Sequence, residues 1–211
     1  MKDKKVIVIG GNGHLGSAAT AGALDAGANV TIVSRHARPD GKATAISASI
    51  ADRDALAKIL ADASAVVVSV EADWTTPGMQ AIYIEGMKNV IATVPQDAHV
   101  VFMGNIGVTD VARMAEYNTA KLTAEKELRE SGLDYTIIRP SWIVSGHTGA
   151  KLEQGDKYTG RRDDVSHDQL ANAFAAILGN REAASGKTFE LYGASDDIVD
   201  WQEAIKVLVK D

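Results

Sequence analysis

Tyr117 and Lys121 are the two side chains of this 211-residue sequence best suited to proton transfer. A spacing of four residues puts both on one face of a helix. A phenol with a pKa near ~10 is a weak acid or base at neutral pH, and a neighbouring ammonium would lower that pKa. We therefore expect Tyr117, assisted by Lys121, to be a general acid/base in a reaction such as hydride transfer to a carbonyl. The alternative is a half-buried tyrosine beside a solvated lysine.

The segment 6–16, VIVIGGNGHLG, has the pattern of a turn that binds the diphosphate of a dinucleotide. Its first four residues are β-branched and predict a buried strand, and a helical pattern of small residues follows Gly16. Gly10, Gly13 and Gly16 between them would let the backbone approach phosphates at the positive end of the helix. The alternative is a tight strand-to-helix turn with no ligand.

The end of the second predicted strand indicates which dinucleotide would bind. NAD-binding proteins usually place an acidic residue here, on the ribose 2′-hydroxyl. This sequence has Ser34 and Arg35, with Arg38 nearby and no carboxylate before Asp40. Because a guanidinium binds a phosphate well, we expect NADP(H) rather than NAD(H). A solvated basic turn is the alternative.

Composition excludes several other classes of function. The net charge is −6, which argues against a nucleic-acid partner, and the absence of cysteine excludes disulfides and thiolate metal sites. The five histidines lack ligand spacing, so we expect no metal. No apolar run is long enough to span a membrane. We expect a cytoplasmic protein with a small-molecule substrate and no membrane partner, as a monomer or homodimer.

Strand and helix patterns alternate along the chain, which predicts an α/β fold: a Rossmann-type doubly wound parallel sheet with helices on both faces and a small C-terminal substrate lobe. Strands are predicted at 6–9, 29–33, 43–48, 65–70, 99–103, 135–140 and 187–192. Asp52, Thr76, Ser166 and Asp200 are predicted helix caps, and a long helix is predicted over 115–130. The segment 141–162 is predicted to be irregular loops. We expect one NAD(P)-binding domain over 1–211, with the nucleotide-binding core in 1–140 and the substrate lobe in 141–211.

These motifs, together with SGLDYTIIRP at 131–140, resemble the short-chain dehydrogenase/reductase superfamily. More narrowly, they are similar to its atypical NAD(P)H-binding branch, which includes biliverdin reductase B-like flavin reductases and NmrA-like proteins. The likeness covers nearly the whole chain.

The resemblance implies a role for each of these residues. Gly10, Gly13, His14, Leu15 and Gly16 would hold the pyrophosphate, Ser34 and Arg35 the adenosine phosphate, and Ser49 and Ile50 would lie near adenine. Ser69, Val70 and Lys121 would contact the nicotinamide ribose, and Pro140, Ser141 and Trp142 would flank the nicotinamide.

The sequence departs from the family at the position of its catalytic serine, which is occupied by Gly104 and Asn105. An asparagine amide could still donate a hydrogen bond to a substrate carbonyl, but it cannot relay a hydroxyl proton. We therefore expect an NADP(H)-dependent reductase acting on a small carbonyl, quinone or flavin, with Asn105 completing the catalytic group. A non-catalytic NADP(H) sensor of the NmrA-like type is the alternative. Trp74 and Trp142 could wall an apolar substrate pocket or anchor loops on the core.

Overall fold

The computed structural model describes residues 1–156, 158, 160 and 163–211. Its strands are β1 (Lys5–Ile9), β2 (Asn29–Ser34), β3 (Thr44–Ser47), β4 (Ala65–Val68), β5 (His99–Met103), β6 (Asp134–Pro140), β7 (Ile143–Val144), β8 (Gly149–Glu153), β9 (Val165–Ser166) and β10 (Lys187–Ala194). Its helices are α1 (Gly16–Asp25), α2 (Arg53–Leu60), α3 (Thr76–Met79), α4 (Gly86–Thr93), α5 (Ala115–Glu130), α6 (His167–Gly179), α7 (Arg181–Ala184) and α8 (Trp201–Lys206). A π-helical turn, Gln80–Glu85, joins α3 to α4.

Eight of the strands form one sheet in the order β3-β2-β1-β4-β5-β6-β10-β8. Each neighbouring pair is parallel except β10 and β8, which are antiparallel. The chain proceeds from β1 toward β3 on one side and then returns to β4 on the other side of β1. This reversal opens a crevice at the carboxyl ends of β1 and β4, where ligands bind in doubly wound folds. The predicted Rossmann-type fold is confirmed.

Helices cover both faces of the sheet, which explains why the central strands are apolar without alternation. Val6 and Val8 of β1 belong to one core cluster, which also contains residues of α1 and α6. Ile7 and Ile9 belong to a second cluster with residues of α2, α4 and α5. The two clusters fix the sheet between two helical layers.

The C-terminal third contributes strands to the main sheet and a small separate pair, β7 and β9. The prediction that 141–162 is irregular is therefore wrong over β7 and β8. Strand β8 was not recognised because its five residues, GAKLE, show little apolar alternation; it is held by its antiparallel pairing with β10. Arg161 and Arg162, at the end of that segment, lie outside the described residues.

Side-chain caps begin several helices at the predicted residues. Asp52, Ser166 and Asp200 accept hydrogen bonds from backbone amides in the first turns of α2, α6 and α8. At α3 the prediction is wrong by one residue: Thr75 rather than Thr76 accepts the bond, from the amide of Gly78 at 3.1 Å. Among the described residues no helix is long and apolar enough to cross a membrane.

Candidate functional site

A cavity of about 720 Å³ lies at the carboxyl ends of the strands. It extends from the end of β2, across β1, β4 and β5, to the residues that follow β6. Every residue predicted as a cofactor contact or catalytic group lines it: Gly10, Gly13, His14, Leu15, Gly16, Ser34, Arg35, Ser49, Ile50, Ser69, Val70, Asn105, Tyr117, Lys121, Pro140, Ser141 and Trp142. Residues that are far apart in the sequence thus share one cavity.

The glycine turn after β1 is too tightly packed to accept side chains. Gly10 has a φ of +86°, and a Cβ atom there would lie 1.9 Å from the carbonyl oxygen of Ser69. A Cβ atom on Gly16 would lie 2.0 Å from the carbonyl oxygen of Gly10. Helix α1 then begins without a side-chain cap, unlike α2, α6 and α8. The turn thus fits the diphosphate of a dinucleotide, an anion that could take the place of a cap.

Asn12 holds the loop after β2 against the glycine turn, a contact that the sequence did not reveal. Its Nδ2 donates to the carbonyl oxygen of Arg38 at 3.0 Å, and its Oδ1 accepts from the Arg38 amide at 2.8 Å.

Arg35, on the same loop after β2, lines the cavity. Asp73, on the loop after β4, has a pKa below its usual value, mainly because Thr75 donates to it and to a smaller extent because of the Arg35 charge. A carboxylate therefore lies within electrostatic reach of Arg35, although none was found in the local sequence.

Lys121 is buried, and its Nζ donates to the carbonyl oxygen of Met103 at 3.2 Å. The same atom lies 4.4 Å from the ring centroid of Tyr83 and 5.7 Å from that of Tyr117. Burial lowers the pKa of Lys121 to about 8, against the opposing effect of the Glu71 and Glu125 charges. The ammonium is thus packed among ring faces at the floor of the cavity.

The pKa of Tyr117 is raised, so the expected lowering by Lys121 is wrong in this structure. Burial is the main cause and the Glu71 charge adds to it. The linear spacing correctly put both residues on one side of α5, but the surrounding rings and Glu71 come from other elements. Tyr117 is therefore a neutral phenol at physiological pH.

Aromatic rings enclose Tyr117. Trp74 stacks on it with ring centroids 5.2 Å apart, and Tyr83 meets it edge-on at 5.6 Å. The hydroxyl of Tyr83 donates to Glu71 at 2.9 Å and accepts from the Ala72 amide at 3.1 Å. Of these neighbours the sequence indicated only Trp74, because the others belong to no motif.

The side-chain amide of Asn105 is engaged within its own loop. Its Nδ2 donates to the carbonyl oxygen of Ile106 at 3.1 Å and to Oδ1 of Asn118 at 3.4 Å. Asn118 in turn donates to three loop carbonyls, of Gly107, Asp110 and Arg113. In this arrangement the donor group of Asn105 has partners and only its buried Oδ1 has none, so donation to a substrate stays a prediction.

Ser141 offers the hydroxyl that position 105 lacks. It lines the cavity, its backbone amide donates to the Leu191 carbonyl at 2.8 Å, and its buried Oγ has no hydrogen-bond partner. The hydroxyl of Thr109, on the loop between β5 and α5, donates instead to Asp156 at 2.5 Å. Ser141 is thus the available hydroxyl donor of the two.

Asp156 joins the loop after β8 to the loop between β5 and α5. Its Oδ1 accepts from the Gly107 amide at 2.7 Å, and its Oδ2 accepts from the Thr109 amide at 2.8 Å. Arg113, on the same β5–α5 loop, lines the cavity and was not predicted.

No group of three or more histidine, aspartate or glutamate side chains in the described part of the chain could hold a metal ion.

Comparisons with known proteins identify the family. A family model described as NAD(P)H-binding matches residues 10–181. A proposed NAD-dependent epimerase/dehydratase from Bacillus halodurans superposes with a TM-score of 0.81 at 19% identity, over 97% of this chain and 100% of that one. No curated protein matches the sequence.

Two further solved structures share the fold. A proposed NADH-flavin reductase from Streptococcus pneumoniae has a TM-score of 0.73 at 16% identity, over 90% of this chain and 100% of its own. A short-chain dehydrogenase/reductase from Veillonella parvula in complex with NADP has a TM-score of 0.69 at 20% identity, over 90% and 94% of the two chains. With its glycine turn and eight-stranded sheet, the chain belongs to the NAD(P)H-binding family.

Proposed function

We propose that this protein is a cytoplasmic NADP(H)-dependent oxidoreductase that transfers a hydride to a small carbonyl, quinone or flavin acceptor. The observation that carries the proposal is the single cavity shared by the uncapped glycine turn, Arg35, and the residues that follow β6. Its extent matches a ligand with a phosphate-bearing end and a planar reactive end. NADP-bound and flavin-reductase structures of the same fold support this assignment.

The residues around the cavity divide the binding of the cofactor among them. The amides at the start of α1 would hold the diphosphate, Arg35 the 2′-phosphate, and Lys121 the nicotinamide ribose. When bound, NADPH supplies a hydride from C4 of its nicotinamide ring. Pro140, Ser141 and Trp142 would fix that ring against the carboxyl ends of β5 and β6.

Proton supply favours quinone and flavin acceptors over simple carbonyls. Tyr117 has a raised pKa and the donor group of Asn105 is engaged, so neither is well suited to protonating an alkoxide. A quinone or flavin takes the hydride into a delocalised ring, and the reduced ring then takes one proton from water. The overall change is NADPH + H⁺ + oxidised acceptor to NADP⁺ + reduced acceptor.

A panel of acceptors tests the proposal. NADPH oxidation is followed with naphthoquinones, free flavins and small aldehydes, and we expect turnover with the first two groups to exceed turnover with aldehydes. NADH should be a poorer donor. Absence of turnover with every acceptor would contradict the proposal.

A non-catalytic NADP(H) sensor is a second candidate, favoured by the engagement of Asn105 with Asn118 in place of a catalytic serine. This candidate predicts tight NADPH binding, together with no oxidation by any acceptor in the panel. Calorimetric titration with NADPH beside the acceptor assay separates the two functions.

A further inference from the structure

Arg113 is a second arginine on the wall of the cavity, at the opposite end from Arg35. Its guanidinium carbon lies 4.7 Å from the ring centroid of Tyr158 and 5.4 Å from that of Trp142. Its backbone carbonyl accepts a hydrogen bond from Asn118 at 2.6 Å. The side chain is thus positioned by ring faces and the backbone by a hydrogen bond.

No carboxylate neutralises Arg113 in the part of the chain that the structure describes. Three other arginines show the contrast: Arg129 pairs with Glu125 and Asp211, Arg139 with Glu125 and Glu190, and Arg181 with Asp134. Ring faces stabilise a guanidinium, but they leave its edge N–H groups able to donate. Arg113 therefore has donors for an anion inside the cavity.

The strand order indicates which ligand the N–H groups of Arg113 would contact. Arg35 follows β2 and Arg113 precedes α5 on the loop after β5, and three strand spacings of ~4.8 Å separate β2 from β5. Across those roughly 14 Å lie the glycine turn after β1 and the residues after β4, which the cofactor would occupy. The phosphates of the cofactor therefore lie toward Arg35, and Arg113 lies on the acceptor side.

The same end of the cavity has flat apolar walls. Trp142, whose ring lies against the Arg113 guanidinium, is 38% exposed. Met114, next to Arg113, also lines the cavity and is 44% exposed. Exposed ring faces beside a guanidinium suit a planar ring system that bears an anionic group.

We propose that the hydride acceptor is a planar quinone or flavin carrying a phosphate, sulfonate or carboxylate group, and that Arg113 binds this group. The inference rests on the proposed function and narrows its substrate class. In the reaction, one hydride from NADPH and one proton from solvent convert the oxidised ring to its dihydro form. The anionic group takes no part in bond making and serves only for binding.

Matched acceptors that differ in charge test the proposal. FMN is compared with riboflavin, and 1,2-naphthoquinone-4-sulfonate with 1,2-naphthoquinone, and kcat/KM is measured for each. We expect the anionic member to be favoured at least about tenfold in the pair that resembles the natural acceptor. Comparison of the flavin pair with the quinone pair thus shows which of the two classes of acceptor the site prefers.

Variants assign this preference to Arg113. Arg113→Gln should lower the anionic-to-neutral ratio of kcat/KM about tenfold, while Arg113→Lys, which keeps the charge, should retain most of it. The control is Lys58→Gln, which removes a charge from the exposed surface of α2 and should leave the ratio unchanged. Two results would overturn the inference. One is an anionic-to-neutral ratio of kcat/KM near one for both acceptor pairs in the unmodified protein. The other is a ratio that stays unchanged in Arg113→Gln.

A binding measurement separates this inference from the proposed function. The dissociation constants of FMN and riboflavin are measured with the NADP⁺-saturated protein by quenching of tryptophan fluorescence. Tighter FMN binding that Arg113→Gln abolishes supports the anion site even if no acceptor is reduced, in which case only the catalytic proposal fails. The opposite result is turnover in which the two flavins bind equally well and the two members of each acceptor pair react at equal rates. That result would support the reductase proposal and refute the role of Arg113.

Discussion

Arg139 and Arg113 show two uses of the same side chain in one molecule. Arg139, on β6, is 5% exposed and its guanidinium pairs with Glu125 at 2.6 Å and with Glu190 at 3.0 Å. Arg113 lies on the cavity wall against two aromatic rings, with no carboxylate partner among the described residues. The first guanidinium is neutralised inside the fold, and the second remains able to bind an anion.

The difference teaches that the neighbours of a charged side chain, rather than its residue type, decide whether it stabilises the fold or binds a ligand. The network around Arg139 continues through Arg129 to Asp211, which accepts from Thr188 at 2.6 Å. It joins α5, β6 and β10 to Asp211. Loss of charge there should affect stability, whereas loss of charge on the cavity wall should affect binding.

The largest effect is expected for Arg139→Met. Two fully buried carboxylates, Glu125 and Glu190, would lose their shared cation, and breaking a buried pair in this way costs ~3–5 kcal/mol of unfolding free energy. Urea denaturation measures the loss. Arg113→Met is the matched control and should change stability by no more than about 1 kcal/mol, the size of a cation–π contact. Equal losses in the two variants would break the comparison.

The next effect is expected for Arg35→Ala, which removes the proposed partner of the 2′-phosphate. A hydrogen bond to a charged group contributes ~1.5–3 kcal/mol, so NADPH should bind about 10- to 100-fold more weakly. NADH affinity should change far less, and isothermal titration with both cofactors measures the difference. Arg53→Ala, on the exposed start of α2, is the control for charge alone. Equal losses for NADPH and NADH would refute the 2′-phosphate assignment.

A smaller effect is expected for Asn12→Ala. This variant removes both hydrogen bonds to the Arg38 backbone, so the loop beside Arg35 would lose its fixed position. NADPH affinity should fall about 3- to 10-fold, in line with ~1 kcal/mol for a typical hydrogen bond. Asn29→Ala removes a comparable amide–carbonyl bond, to Asp3, at the other end of β2. If that control weakens NADPH equally, Asn12 has no special part in positioning the loop.

The smallest effect concerns pH. Lys121 has its pKa lowered to about 8 by burial, so it is charged below pH 8 and loses its proton as the pH rises through that value. NADPH carries negative charge, and its affinity should therefore decrease a few-fold between pH 7 and pH 9. Titrations across this range measure the change. Lys121→Met should flatten the profile, and an unchanged profile in that variant would exclude Lys121 as its cause.

Local sequence was sufficient to predict the nucleotide-binding half. The apolar run of β1 and the Gly10 turn encode their structure within a few residues, because burial on both faces and a positive φ restrict the residue types that fit. The end of α5 at Glu130 is likewise local, since Ser131 and Gly132 directly after it are residues typical of a helix terminus. Every predicted site residue in consequence lines the cavity.

The acceptor side could not be predicted in the same way, since its properties depend on contacts between distant segments. The raised pKa of Tyr117 results from burial and from Glu71, which lies after a different strand. Arg113 belongs to no motif, and its role depends on Trp142 and Tyr158. Strand β8 exists because β10 pairs with it. Such features follow from tertiary packing rather than from local propensity.

The contact made by Asp156 links two distant parts of the chain. The loop that carries Arg113 is fastened at Gly107 and Thr109 by a carboxylate from beyond β8, outside the half that would bind the nucleotide. Sequence change in the C-terminal third can therefore reshape the acceptor end without disturbing the glycine turn. The position of the loop after β5 thus depends on a side chain that lies far from it in the sequence.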